Sequence, residues 1–109
     1  MVNMDSVYEK TEIEASYPGG KAAWHRYLDK NLVYPRVAED NNIQGTVVVQ
    51  FMVDLNGKVL LPKAISGPRE LREEAVILIK RSGIWAPAVE GGRSVKSYKK
   101  MPIIFRIER

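Results

Sequence analysis

The stretch from Gln44 to Asp54 constrains the fold more than any other part of the sequence. Apolar residues fill every second position, and the positions between them are fairly apolar as well. The first set is Val47, Val49, Phe51 and Val53, and the second is Thr46, Val48, Gln50 and Met52. This two-residue period predicts a β-strand, and its two apolar faces favour the middle of a sheet. The Asn56-Gly57 pair that follows predicts a tight hairpin, because both residues accept a positive φ.

The hairpin leads into a second strand, predicted from Lys58 to Ile65. This strand contains Pro62, which cannot donate a hydrogen bond to a neighbouring strand and therefore favours an edge position. Ahead of the hairpin, apolar side chains at helical spacing predict a helix over Lys21–Asn31. Pro35 then opens a short helix that ends near Asp40, since a missing N–H costs nothing at the first helical position.

The second half of the chain supplies another helix and one more strand. Pro68 suits the first turn of a helix, and Ser82-Gly83 suits its end. After a turn at Gly91-Gly92, the last strand is predicted from Val95 to Ile107. Because the helix crosses the sheet, this third strand can lie antiparallel beside strand one. The sequence therefore predicts an α+β fold, with a three-stranded antiparallel sheet in the order 2-1-3 packed on two helices plus a short helix.

The chain of 109 residues is long enough for one domain. Residues 1–16 are polar and carry four acidic residues without a clear period. We interpret them as a linker or flexible arm, with a short extended piece near Tyr8–Ile13. Tyr17-Pro18-Gly19-Gly20 signals a loop, so the predicted domain spans residues 17–109. Cysteine is absent, which excludes disulfides and thiolate chemistry.

The residue types that catalysis or metal binding requires do not come together in the sequence. It has no glycine-rich phosphate loop, no cluster of metal ligands and no nucleophile paired with a base. We therefore expect no enzymatic activity, no cofactor and no metal site. His25 lies off the apolar face of its helix and is interpreted as a surface residue. The net charge of +4 comes with basic runs no longer than a pair, which argues against nucleic-acid binding.

The predicted strand order leaves strands two and three at the edges of the sheet. In strand two, Pro62 disfavours pairing with a further strand. Strand three presents Ile104, Arg106 and Glu108 on its outer face. An open edge exposes backbone groups that pair with another chain unless they are protected. Pro102 and the lysines of strand three offer such protection, so the residues alone leave both interpretations open.

The ordered set of signals resembles the C-terminal domain of TonB, the energy transducer of Gram-negative outer-membrane uptake. The similarity extends over about Tyr17 to Ile107. The matching residues are Tyr34-Pro35, Ala38, Ile43, Gly45, Val47, Val49, Phe51, Val53, Gly57, Val59, Ala75, Trp85, Pro87, Pro102, Ile103 and Phe105. One large branch of TonB-like proteins is also similar in its opening, which here reads Pro18-Gly19-Gly20, Trp24, Tyr27, Asn31 and Tyr34-Pro35.

The resemblance implies an interaction domain. TonB-type domains bind the TonB box, a short extended peptide of outer-membrane transporters, by strand addition to their last strand. In the family, an N-terminal transmembrane helix engages an ExbB/ExbD-type proton-driven motor, and a proline-rich linker spans the periplasm. We expect those parts to lie outside these 109 residues. The implied location is the periplasm, with a tether to the inner membrane in the full-length protein, and the implied role is to transmit proton-motive force for nutrient uptake.

Two groups of residues correspond to the family's partner-binding regions. The first is the edge of strand three, represented by Tyr98, Lys100, Ile104 and Arg106. The second is the Tyr-Pro motif with its surroundings, near which the transporter's plug domain is contacted, and it comprises Asn31, Tyr34, Pro35 and Arg36. The best-studied members carry a basic residue at the position matching Val37, whereas the arginine here lies one residue earlier.

Two other functions are compatible with the same patterns. A TonB-like domain can serve in an envelope sensor or antirepressor, or as a structural link between envelope proteins. Exposed strand edges can also pair two copies of the chain into a homodimer. The sequence upstream of this domain distinguishes an uptake protein from a sensor, and the oligomeric state in solution tests the homodimer.

Overall fold

The computed structural model describes residues 6–108, which form three helices and five strands. The helices are α1 (Gly20–Asn31), α2 (Arg36–Asp40) and α3 (Arg69–Lys80). The strands are β1 (Gly45–Val53), β2 (Val59–Ser66), β3 (Ala88–Glu90), β4 (Arg93–Val95) and β5 (Ser97–Phe105). Three strands form the main sheet in the order β2-β1-β5, and β3 pairs with β4 in a separate hairpin.

Strand β1 lies in the middle of the main sheet, and both of its neighbours run antiparallel to it. This arrangement confirms the predicted α+β class and the strand order 2-1-3, with β5 as the third strand. One face of β1 is fully buried, at Val47, Val49, Phe51 and Val53. Helix α3 contributes to the same core with Leu71, Ala75, Leu78 and Ile79.

Asp54 organises the turn between β1 and β2. Its Oδ1 accepts hydrogen bonds from the backbone N–H groups of Asn56 at 2.9 Å and Lys58 at 2.8 Å. Gly57 adopts a φ of +84°, where a side chain is strained. A Cβ at Gly57 would lie 2.0 Å from the carbonyl oxygen of Trp85. Since the Trp85 N–H also donates to the Gly57 carbonyl at 2.8 Å, the hairpin packs directly on the Trp85 backbone.

Strand β2 pairs with β1 irregularly, although the sequence predicts one continuous strand. The register shifts twice, and each shift leaves β2 residues without a partner on β1. Ile65 is passed over at the first shift, and Leu61 with Pro62 lies opposite a single β1 residue at the second. Leu61 takes a left-handed φ of +49°. Pro62 therefore sits in a bulge on an edge strand, in agreement with the edge position predicted from it.

The β3–β4 hairpin is missing from the sequence prediction. The pattern predicts the turn at Gly91-Gly92 but assigns Val95–Ile107 to one strand. In the structure Ala88–Glu90 pairs with Arg93–Val95, and β5 runs from Ser97 to Phe105. Three-residue strands are too short to show a two-residue period, which explains why the pattern does not predict them.

Aromatic side chains attach α1 to the rest of the core. Trp24 and Trp85 are both buried, with ring centroids 5.4 Å apart. Phe51 of β1 packs edge-on against Trp85 at 5.1 Å. The Tyr27 hydroxyl donates a hydrogen bond of 2.5 Å to the Leu78 carbonyl of α3. Helix α1 is therefore fixed both to the sheet and to α3.

The segment before α1 is hydrogen-bonded to the domain at several points. Its β-bridges join Tyr8 to Ser97, Ile13 to Val89, and Ser16 to Ala86. Ala15 is buried in the core. The domain boundary predicted at residue 17 stays a prediction, and residues 1–5 and 109 lie outside the described part of the chain.

Candidate functional site

The side of β5 that faces away from β1 forms an outer edge of the main sheet. On its inner side, nine consecutive residue pairs join β5 to β1 without a shift in register. The Tyr98 N–H donates to the carbonyl of Tyr8, so this N–H points outward. Because backbone groups alternate in direction along a strand, those of Lys100, Pro102 and Ile104 point outward as well. The edge is therefore regular along its whole length.

Pro102 occupies one of these outward positions. Its missing N–H costs the β1–β5 ladder nothing, and its carbonyl still faces the edge. Within residues 6–108, no strand pairs with this side of β5 beyond Tyr8. Lys100 and Ile104 thus present N–H donors, and carbonyl acceptors lie at these two positions and at Pro102. The Ile104 side chain is 52% exposed.

A groove of about 1040 Å³ runs between this edge and α1. Trp24 and Leu28 contribute from one face of α1, and Leu32 contributes from the position directly after the helix. Met101 and Ile104 contribute from β5. A strand laid along β5 directs every second side chain towards α1. The groove therefore offers such side chains an apolar surface.

Polar side chains, among them charges of both signs, line the same groove. Lys21, His25 and Asp29 lie on the α1 side, while Lys99, Arg106 and Glu108 lie on the β5 side. His25 is exposed, as the sequence predicted, but its place beside the groove did not follow from helical spacing alone. The mixed charges around an apolar lining suit a peptide that carries both apolar and polar side chains.

The Tyr34-Pro35 motif lies between α1 and α2, beside the far end of β5. The Tyr34 hydroxyl donates to the Ile43 carbonyl, and its ring packs edge-on against Phe105 at 5.7 Å. Partial burial raises the pKa of the Tyr34 hydroxyl, and the negative charge of Glu39 adds to the rise. Tyr34 is therefore a packed residue as well as a candidate contact.

Two backbone interactions hold the motif in place from either side. The Val33 N–H donates to Glu74 Oε2 of α3 at 2.9 Å. Pro35 directly precedes α2 with a φ of −61°, and its carbonyl accepts the Glu39 N–H at 3.0 Å. The Glu74 carboxylate thus links α3 to the segment directly before the motif.

The structure separates the eight predicted partner-binding residues into two sets. Asn31, Tyr34, Pro35 and Arg36 lie where α1 ends and α2 begins, and Asn31 donates through its side chain to the Tyr27 carbonyl at 2.8 Å. Tyr98, Lys100, Ile104 and Arg106 alternate along β5 and just beyond its end. The contact between Tyr34 and Phe105 brings the first set near Ile104 and Arg106. Tyr98 lies near the opposite end of β5, so one compact contact does not include all eight residues.

Sequence reasoning missed two features of this site. It predicted an apolar face on α1 but not that this face borders a groove, where Leu28 and Leu32 are only half-buried. It also gave no indication that Tyr8 pairs with the start of β5. The sequence did contain a signal for the groove, because the apolar face of the helix extends beyond Trp24. It contained no signal for the pairing of Tyr8, because the segment around Tyr8 is polar and has no period.

The described residues show neither a metal site nor a membrane span. Among residues 6–108, no group of three or more histidine, aspartate or glutamate side chains is arranged to hold a metal ion. In the same part of the chain, every helix is too short or too polar to cross a bilayer. The feature that the structure does provide is a regular strand edge beside an apolar groove.

Comparison with known proteins identifies the family. The family described as the Gram-negative bacterial TonB protein C-terminal matches residues 30–107. The chain belongs to this family, and it is a TonB-type domain of the Gram-negative periplasm. TonB C-terminal domains are interaction domains that engage outer-membrane transporters in general.

A solved structure shows the same fold. The solution structure of the Helicobacter pylori TonB C-terminal domain superimposes with a TM-score of 0.60 and 20% sequence identity. The alignment covers 84% of this chain and 88% of that one. A comparison with curated proteins gave no match.

Proposed function

We propose that this domain binds the TonB box of outer-membrane transporters by strand addition to β5, and that it thereby transmits proton-motive force for nutrient uptake. The observation that carries the proposal is the outer edge of β5, which is regular, exposed and flanked by an apolar groove. Family membership supports the kind of partner, and the edge supports the mode of binding.

The backbone groups of the β5 edge account for reversible binding of a partner strand. An added strand accepts from the N–H groups of Lys100 and Ile104 and donates to carbonyls between Lys100 and Ile104. Each such bond contributes about 0.5–1.5 kcal/mol net, and ordering the peptide offsets part of that gain. A modest affinity suits a protein that must pull on its partner and then release it.

The groove adds specificity to the backbone pairing. Alternate side chains of the added strand face Leu28, Leu32 and Met101, so apolar residues are favoured at every second position. The other side chains face the open side of the sheet, where Lys100 and Arg106 are exposed. Tyr34 and Pro35 lie near the end of the groove and are proposed to contact the folded part of the transporter.

In the full-length protein, the remaining steps of the proposal need the upstream region. An inner-membrane anchor and an ExbB/ExbD-type motor would supply the force that the strand pairing passes on. An NMR titration of the labelled domain with TonB-box peptides from transporters of the same organism tests the binding step. Shifts concentrated in Tyr98–Ile107 and around Tyr34-Pro35, absent with a scrambled peptide, are expected. No shifts at millimolar peptide would move the function to the sensor or structural role.

A proline substitution separates strand pairing from side-chain contact. Ile104→Pro removes an outward N–H without touching the ladder to β1, so the fold is retained. The peptide affinity is expected to fall by about 2- to 12-fold, which corresponds to one hydrogen bond. Ile104→Thr is the matched control, since it shortens the side chain but keeps the N–H and the strand preference. An equal loss in both variants would contradict strand addition.

A further inference from the structure

The first part of the β5 edge is already occupied by the chain itself. The Tyr8 N–H donates to the Lys96 carbonyl at 2.9 Å, and the Tyr98 N–H donates to the Tyr8 carbonyl at 2.8 Å. These two bonds are those of a parallel strand pair. At this point Tyr8 takes the position that a residue of an added strand would take.

Charge complements the pairing. The segment carries Glu9 and Glu14, and Glu14 Oε2 lies 4.0 Å from Lys99 Nζ. The same two glutamates border a cavity of about 780 Å³ together with Tyr98, Lys99 and Lys100. Lys10 borders this cavity as well, so the favourable charge contact beside the start of β5 is the single pair of Glu14 with Lys99.

The far end of the segment is held independently of Tyr8. Ile13 exchanges backbone hydrogen bonds of 3.1 and 2.9 Å with Val89. The Glu12 carboxylate accepts the Gly91 N–H at 2.9 Å, and Ala15 is buried. Residues 6–10 can therefore leave β5 while the segment stays attached to the domain.

We propose that residues 6–10 act as a strand bound in cis, which covers β5 at residues 96–98 and restricts an incoming partner strand to Lys100–Arg106. The inference rests on the proposed function and adds a limit to it. A short partner strand fits the open part of the edge. A longer one must first displace Tyr8, and it regains the same two backbone hydrogen bonds when it does so. The segment thus sets where a partner strand begins and favours short ones.

Tyr8→Pro tests the cis strand in the intact chain. Proline removes the N–H that the Lys96 carbonyl accepts, and Tyr8→Val is the matched control because it loses the same ring but keeps the N–H. The first readout is hydrogen exchange of the Tyr98 amide without any partner. We expect exchange about tenfold faster in Tyr8→Pro than in Tyr8→Val, and equal rates in the two variants would overturn the inference.

The second readout uses TonB-box peptides extended by three residues at the end that lies towards Tyr98. In Tyr8→Pro these long peptides are expected to bind about 2- to 12-fold more tightly and to shift residues 96–98, while short peptides bind unchanged. A uniform gain for both lengths would contradict the length limit. Glu14→Lys, which reverses the charge facing Lys99, is expected to act in the same direction. If no peptide of either length binds, the proposed function is wrong. The exchange rates of the Tyr98 amide test the cis strand independently of peptide binding.

Discussion

The two edge strands of the main sheet differ in how regularly they pair with the central strand β1. Strand β5 pairs with β1 through nine residue pairs in one register. Strand β2 pairs with the same central strand through a register that shifts twice. Its bulge places Leu61 in a left-handed conformation with 75% of its surface exposed, beside Pro62. One edge is therefore irregular and the other regular, although both border the same strand.

The difference shows how a small sheet can keep one edge for a partner. Bulges and proline disrupt the spacing of backbone groups and so prevent unintended strand pairing. On β5 the proline is present too, but Pro102 lies where it removes one donor and leaves the strand straight. We expect the irregular edge to resist unintended strand pairing, and the regular edge to remain able to pair. The irregular β2 side is held in place by the contact between Gly57 and the Trp85 backbone.

Gly57→Ala is expected to detach the β2 side. The new Cβ would meet the Trp85 carbonyl at 2.0 Å at a φ of +84°. Gly83→Ala is the matched control, because Gly83 has the same φ of +84° with no atom within 4 Å of its Cβ position. The control is expected to lose about 1 kcal/mol of unfolding free energy from the left-handed conformation.

Gly57→Ala should lose about 3 kcal/mol more than that control, since the clash involves backbone on both sides. Urea denaturation of the two variants measures the difference. Equal losses would show that the turn does not depend on its contact with Trp85.

Removing the β2 bulge is expected to erase the difference between the edges. Deleting Leu61 and replacing Pro62 with threonine gives β2 one residue opposite each β1 residue in this region. The β2 edge is then regular from Val59 to Ala64, and this longer regular stretch allows copies to pair edge to edge. We expect light scattering after size exclusion to show more self-association than in the wild type at the same concentration.

Leu61→Gly is the control for this change. It keeps the bulge but relieves the left-handed strain, so it should gain about 1 kcal/mol of stability without more self-association. If the deletion variant associates no more than Leu61→Gly, the bulge does not protect the edge.

The contrast between the edges was only partly visible in the sequence. The alternation from Val47 to Val53 and the Asn56-Gly57 turn determined the central strand and its hairpin, and the crossing helix then gave the order 2-1-3. Pro62 predicted an edge but not two register shifts, because a bulge depends on how two strands fit together. The pairing of Tyr8 with β5 was not predictable, since a polar segment without a period carries no information on what it will contact.

The candidate site was likewise predictable from the sequence only in part. The alternate residues Lys100, Ile104 and Arg106 of the edge were named from the resemblance and the strand period. The half-buried state of Leu28 and the hydrogen bond from Val33 to Glu74 depend on tertiary packing. Spacing along a helix shows which residues share a face, but it does not show how far a neighbouring strand covers that face.

Helix α1, which faces the β5 edge, is held partly by one hydrogen bond of Tyr27. Tyr27 fixes α1 to α3 through its hydrogen bond to Leu78, so Tyr27→Phe should lose about 1 kcal/mol at neutral pH. Burial raises the pKa of Tyr27 above its ordinary value of 10.0, and Tyr17 adds to the rise. The folded state therefore holds this proton more tightly than the unfolded chain. Its contribution is fully present below pH 10.0 and is lost as the pH rises through the folded pKa.

The stability of Tyr27→Phe should consequently approach that of the wild type above this pH, because only the wild type loses the Tyr27 contribution. Tyr34 also has a raised pKa, but it is present in both proteins and cancels in the difference. Denaturation of both proteins from pH 7 to 11 measures the effect, with Tyr98→Phe at the exposed edge as the control. A gap between Tyr27→Phe and wild type that stays constant with pH would mean that Tyr27 titrates as it does in the unfolded chain.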